Sequence, residues 1–114
     1  MQFAELTLPE CVHKGITEAG FTECTPIQAL SLPITLAGRD VAGQGQTGTG
    51  KTAAFLITLF NRLIANATDS THPRALILAP TRELAVQIEN DARLRGRHCG
   101  CTVQAVYGGQ ASPK

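Results

Sequence analysis

Eight consecutive residues, Gly45-Gln46-Thr47-Gly48-Thr49-Gly50-Lys51-Thr52, have the types and spacing needed to hold a phosphate chain. The glycines let the backbone turn sharply and bring several N–H groups toward one point, a concave nest for an anion. A helix starting near Gly50 adds the positive end of its dipole to that point. Lys51 can reach the β- and γ-phosphates as a point charge, and Thr52 offers a hydroxyl to Mg²⁺. A glycine-rich loop can match such a pattern by chance. Here a small apolar pair, Val41-Ala42, precedes the loop and a helical pattern follows it, which is the strand–loop–helix setting that phosphate binding requires.

Two further side chains carry both a chemical and a purely architectural reading. Gln28 lies three residues after Thr25 and two after Pro26, so its carboxamide can reach back to the Thr25 N–H in a capping box. The same carboxamide presents a donor beside an acceptor, the complement of the adenine N7 and N6 edge. Arg82 falls in the first turn of a helix at the carboxyl end of an apolar run, where open α/β sheets bind ligands. It can equally be a solvated charge or pair with Glu83 or a neighbour. Gly108-Gly109 permits a tight turn or the close approach of a backbone to a ligand. Cys11-x-His13 and His98-Cys99-x-Cys101 can be combined on paper into a zinc site, although no paired C-x-x-C spacing is present and lone thiols in a reduced fold are commoner.

The elements that must position these groups read as follows. Phe3 to Thr7 is an extended lead-in. Pro9 suits a helix start, with Val12 and Ile16 on its buried face, Gly15 weakening it, and Gly20 ending it. A second helix begins at Thr25-Pro26 and is limited by Pro33, leaving two short pieces before Gly38-Arg39-Asp40. Lys51 to Ala65 is the strongest helix, with Phe55/Leu56, Leu59/Phe60 and Leu63/Ile64 at helical spacing. Residues 66–73 are a polar loop. Ala75-Leu76-Ile77-Leu78-Ala79, ended by Pro80, fits a strand buried on both faces. Thr81 caps a helix burying Leu84, Ala85, Ile88 and Ala92, and Arg93, Arg95 and Arg97 form a solvated group that offsets its dipole. Residues 102–107 alternate like a strand. The expected fold is a parallel α/β sheet flanked by helices, with strands near 40–44, 75–79 and 102–107.

The chain has 114 residues and a formal net charge of +1, so electrostatics alone make no case for nucleic acid or a membrane. No apolar run approaches the roughly 20 residues of a membrane span, and Met1 to Glu5 lacks the regions of a signal peptide. The expectation is a cytoplasmic protein with no membrane partner.

In order, these segments resemble the start of the first RecA-like lobe of a DEAD-box ATP-dependent RNA helicase, the bacterial members above all. Gly20 to Gln28 resembles the Q motif, with Phe3 at the spacing of its upstream aromatic. Gly45 to Thr52 resembles motif I, Pro80-Thr81-Arg82-Glu83-Leu84-Ala85 motif Ia, and Gly108-Gly109 the GG element. Cys24 departs from the family's usual proline, and Gly45 from its common alanine. The resemblance implies a Q-motif helical segment over 1–38 and the N-terminal part of a RecA-like domain over 39–114. It implies that Gln28 reads adenine with Phe3 packing on the base. Gly45 to Thr52 would then hold ATP, with Lys51 and Thr52 on the phosphates and Thr52 on Mg²⁺. Thr81, Arg82, Gly108 and Gly109 would meet the backbone of single-stranded RNA with little sequence preference. Two adjacent acidic residues occur nowhere in the sequence. The Asp-Glu-Ala-Asp carboxylates, the Ser-Ala-Thr motif and the second lobe are therefore expected beyond these residues, which alone should be catalytically silent. The competing readings are a nucleotide-binding module without turnover, and a P-loop NTPase of another family such as a DNA helicase.

Overall fold

The computed structural model describes residues 1–46, 50–66 and 72–108. Thr47, Gly48, Thr49 and Gly109, all assigned to ligand contacts by sequence, lie outside the described residues. Four helices carry the described structure: α1 (Glu10–Glu18), α2 (Pro26–Thr35), α3 (Lys51–Ala65) and α4 (Arg82–Arg95). α3 lies centrally, packed on α1, α2 and α4.

The N-terminal lead-in is not extended as its sequence predicts. Phe3–Glu5 forms a 3-10 turn, because the Glu5 carboxylate accepts from the Gln2 N–H at 2.7 Å and the Leu6 N–H returns to the Phe3 carbonyl at 3.1 Å. Bonds from the Phe3 N–H to the Thr22 carbonyl (2.9 Å) and from the Cys24 N–H to the Met1 carbonyl (2.8 Å) fasten this turn to the segment ahead of α2. Phe3 is thereby driven into the core.

α1 buries Val12 and Ile16 as its periodicity predicts. Gly15, a weak point by helix propensity, has a packing reason: a Cβ there would stand 2.2 Å from the Arg95 carbonyl oxygen. Only a residue without a side chain lets α1 approach the end of α4 this closely. α2 differs from expectation, since it runs unbroken through Pro33 to Thr35. The missing proline N–H forfeits one helical bond. The far turn is held from outside, by the Thr35 and Thr58 hydroxyls paired at 2.7 Å and by Arg62, which donates to the Thr35 and Arg39 carbonyls at 3.1 Å each.

α3 has the bounds its sequence predicts, and Leu56, Ile57 and Phe60 are sealed in the core with Leu32 of α2. Each such side chain contributes about 1.5–3 kcal/mol relative to exposure. Phe3, Val12, Ile16 and Ala92 join the same cluster, so residues on both sides of position 38 share one core.

Among the described residues no strand ladder forms. The only β-type contact among the described residues is an isolated antiparallel bridge between Gln2 and Glu23. Residues 40–44, 75–79 and 102–107 run without helical or ladder bonding, and Leu76 and Leu78, expected to be buried on both faces, are each 84 % exposed. The 101–107 segment is held by side chains of α4. Glu89 accepts from the Ala105 N–H at 2.7 Å, and Arg93 donates to the Val103 carbonyl at 2.8 Å. The Ala105 N–H and then Arg93 hold the Glu89 carboxyl below its ordinary range.

The arginine group at the end of α4 is not uniformly solvated. Arg93 and Arg97 make exposed ion pairs with Glu89 (3.2 Å) and Glu18 (3.6 Å), the kind worth little. Arg95 instead lies over the Phe21 ring, 4.6 Å from its centroid, with Nε and Nη1 buried and without a hydrogen-bond partner. Burial pushes its pKa down, opposed by Asp91. No helix among the described residues is long and apolar enough to cross a membrane.

Candidate nucleotide and nucleic-acid site

Three helices here begin in two different ways. α2 starts at Thr25, whose Oγ1 accepts from the Gln28 N–H at 3.4 Å while Gln28 Oε1 accepts from the Thr25 N–H at 2.9 Å. α4 starts at Thr81, whose Oγ1 accepts from the Leu84 N–H at 3.1 Å. α3 starts at Gly50, which has no side chain to cap with. Its first-turn N–H groups, at the positive end of a helix of 15 residues, carry no such side-chain cap.

Gln28 sits at the junction. It is only 2 % exposed, completes the capping box of α2, and its Nε2 also donates to the Gly50 carbonyl at 3.1 Å. The sequence offered cap or ligand; the structure gives the cap in full and adds a direct link to the loop. Gly50 is required there twice over. Its φ is +89°, a left-handed conformation that L side chains rarely adopt, and a Cβ would lie 2.4 Å from Gln28 Nε2 and 2.9 Å from Thr25 Oγ1. Lys51, the first residue of α3, folds back so that Nζ donates to the Gly45 carbonyl, spanning the loop from end to end. Thr52 follows it, half-buried in the first turn. Gln46, still within the described residues, leads into the loop.

Phe3 is almost wholly buried, and Phe21 tilts against it with centroids 6.3 Å apart at 49°. Phe21, 39 % exposed, is the aromatic that reaches the surface there. The two rings line a cleft of about 200 Å³. Phe21 also borders a groove of about 1200 Å³ that takes in Gln28, Gly50, Lys51 and Thr52. Sequence reading passed over Phe21, and its place directly after Gly20 was the available signal.

At the start of α4, Arg82 is neither free nor paired with Glu83. Its Nη2 donates to the Gly108 carbonyl, and its guanidinium lies 5.1 Å from the Tyr107 ring centroid. Thr81, Arg82 and Gly108, separated in sequence, thus form one exposed patch. The zinc combination is not assembled: His13 Nε2 bonds the Leu6 carbonyl at 2.9 Å, and His98 pairs with Glu18.

The DEAD/DEAH box helicase profile matches residues 25–114. The chain is 55 % identical over 112 residues to the ATP-dependent RNA helicase RhlB of Idiomarina loihiensis, covering 96 % of this chain and 26 % of that protein. RhlB of Histophilus somni strain 2336 is 55 % identical over 115 residues, covering 99 % of this chain and 27 % of that protein. Among solved structures, the RNA helicase Prp28 of Chaetomium thermophilum bound to ADP superposes with a TM-score of 0.83 at 43 % identity, covering 91 % of this chain and 26 % of Prp28. The chain belongs to the DEAD/DEAH box helicase family. It spans about a quarter of the length of the relatives it matches.

Proposed function

We propose that this chain is the ATP-binding start, with part of the RNA-binding surface, of an ATP-dependent RNA helicase. The observation that carries the reading is the uncapped beginning of α3, bridged by Lys51 to Gly45 and tied through Gly50 to Gln28. The donor set fits a nucleotide phosphate chain with its metal: an ammonium, a threonine hydroxyl and helix N–H groups, all from the first turn of α3. Lys51 Nζ would exchange the Gly45 carbonyl for phosphate oxygen. Thr52 would hold Mg²⁺, and the loop residues Gly45 to Gly50 would wrap the phosphates. Gln28 still has one amide N–H and one Oε1 lone pair beyond the bonds described, enough for the adenine edge. Phe3, with Phe21 beside it, would pack on the base. When bound, ATP–Mg²⁺ supplies the phosphoryl group whose hydrolysis resets the enzyme. The residues here bind and orient it.

Thr81, Arg82, Gly108 and Gly109 would meet the RNA backbone. That role suits a chain whose net charge is near zero, because few contacts need few cations. The intact protein would act in the cytoplasm. Residues 1–38 would serve as the Q-motif segment, and 39–114 as the beginning of a RecA-like domain whose sheet is completed by strands from outside these 114 residues. The exposed Leu76 and Leu78 support that completion.

The test is RNA-stimulated phosphate release. A full-length protein should show it, and Lys51→Ala should abolish it. The 114 residues alone, which hold no adjacent acidic pair to position Mg²⁺ and water, should release no more phosphate than their own Lys51→Ala control. Stimulated turnover that survives Lys51→Ala in the full-length protein would contradict the reading.

A further inference from the structure

Cys11 in the first turn of α1 and Cys99 in the turn after α4 stand 88 residues apart in sequence, yet their sulfur atoms are 2.7 Å apart. A covalent sulfur–sulfur bond is about 2.05 Å. The Cys99 thiol donates to Cys11 Sγ, and both residues are half-buried, so the pair is not sealed from solvent. The seam between these elements is already closed around them. Gly15 abuts the Arg95 carbonyl, and Glu18 holds both Arg97 and His98. Joining the sulfurs therefore asks for the remaining gap between them to close. Cys101, whose Sγ lies 3.9 Å from the Cys99 carbonyl, is the neighbouring thiol that competes for the same chemistry.

We propose that Cys11 and Cys99 are a reversible dithiol–disulfide pair that reacts with oxidants of the peroxide or low-molecular-weight disulfide class and staples α1 to the end of α4. This rests on the thiol geometry and stands apart from the helicase reading. With peroxide, Cys11 Sγ attacks one oxygen, the O–O bond breaks, and Cys11 sulfenic acid and one water result. Cys99 Sγ then attacks the Cys11 sulfur, and its proton leaves with the departing hydroxide as a second water. Peroxide is reduced by two electrons and the thiols are oxidised by two. Cys11 makes the first attack because the Cys99 thiol proton is directed at Cys11 Sγ, and burial, followed by the Cys11 thiol, pushes the Cys99 thiol up to about 12. With a small disulfide, Cys11 Sγ attacks one sulfur, the small S–S bond breaks and a first small thiol leaves; Cys99 Sγ then attacks the Cys11 sulfur of the mixed disulfide and expels the second.

The experiment treats the reduced full-length protein with hydrogen peroxide or oxidised glutathione, blocks free thiols, and maps peptides without reduction. The expected result is a Cys11–Cys99 linked pair, about 2 Da lighter than the two thiol peptides together. Dithiothreitol should reverse it, and the oxidised protein should melt at least about 5 °C higher because the bond closes a long loop. C11S and C99S should each abolish the link and the melting shift. C24S and C101S should retain both, which keeps the test decisive if either partner variant folds poorly. Linkage of Cys99 to Cys101, a stable glutathione adduct, or sulfinic acid at Cys11 without a cross-link would overturn the proposal.

Discussion

α2 and α3 begin 25 residues apart and the Gln28–Gly50 hydrogen bond joins their starts, but their first turns are built for opposite ends. α2 has a threonine, a proline and a glutamine that satisfy its own termini reciprocally. α3 has a left-handed glycine, no cap, and a lysine bent over the loop before it. The contrast is chemical. A capped helix start is finished within the protein, whereas an uncapped one keeps its N–H groups and dipole for a ligand. Gln28 belongs to both: its oxygen completes the first and its nitrogen holds the carbonyl at the edge of the second.

Substitutions should separate the two starts. Gly50→Ala should have the largest effect, because it combines a left-handed φ with a Cβ placed against Gln28 and Thr25. A loss of roughly 2–3 kcal/mol in the melt is expected, with at least tenfold weaker ATP binding by titration. Lys51→Ala should weaken ATP by about tenfold or more while leaving the melting temperature nearly unchanged, since its hydrogen-bond partner is a loop carbonyl. A large stability loss there would mean that Lys51 is structural. Thr25→Ala and Thr81→Ala should each cost about 1 kcal/mol as lost caps. Thr25→Ala should in addition weaken nucleotide binding, through the Gln28–Gly50 bond, and Thr81→Ala should not. The smallest effect is in acid. Glu89 has its pKa lowered in the fold, so its stabilisation is complete above the unfolded value near 4.5 and disappears as pH falls through the lower folded value. Glu89→Gln should flatten that part of the stability–pH curve and leave neutral pH almost unaffected.

Much of this contrast was legible in the residues. Thr25-Pro26-x-Gln28, Thr81 and the bounds of α3 are written in local chemistry over three or four positions, and the structure reproduces them. What escaped depends on neighbours far along the chain. Gly15 reads as a weak helix position until the Arg95 carbonyl is seen against it, and Arg95 reads as a surface charge until Phe21 is placed beneath it. Pro33 fails to stop α2 because Arg62 and Thr58 reach across from α3. The apolar run 75–79 announces a strand but cannot say what pairs with it, and no ladder partner reaches it among the described residues. Of the site itself, the residues offered a phosphate loop and two readings of Gln28, but not the link between them. Contact between residues 28 and 50 leaves no local signature.

The role given to Gln28 is tested most directly by titrating ATP and GTP against Gln28→Ala in the full-length protein. Loss of the adenine contact predicts ATP affinity falling about tenfold or more, with GTP affinity changed by less than about threefold. Equal losses for both nucleotides would contradict base recognition and leave Gln28 as the cap and loop tie that its hydrogen bonds already describe.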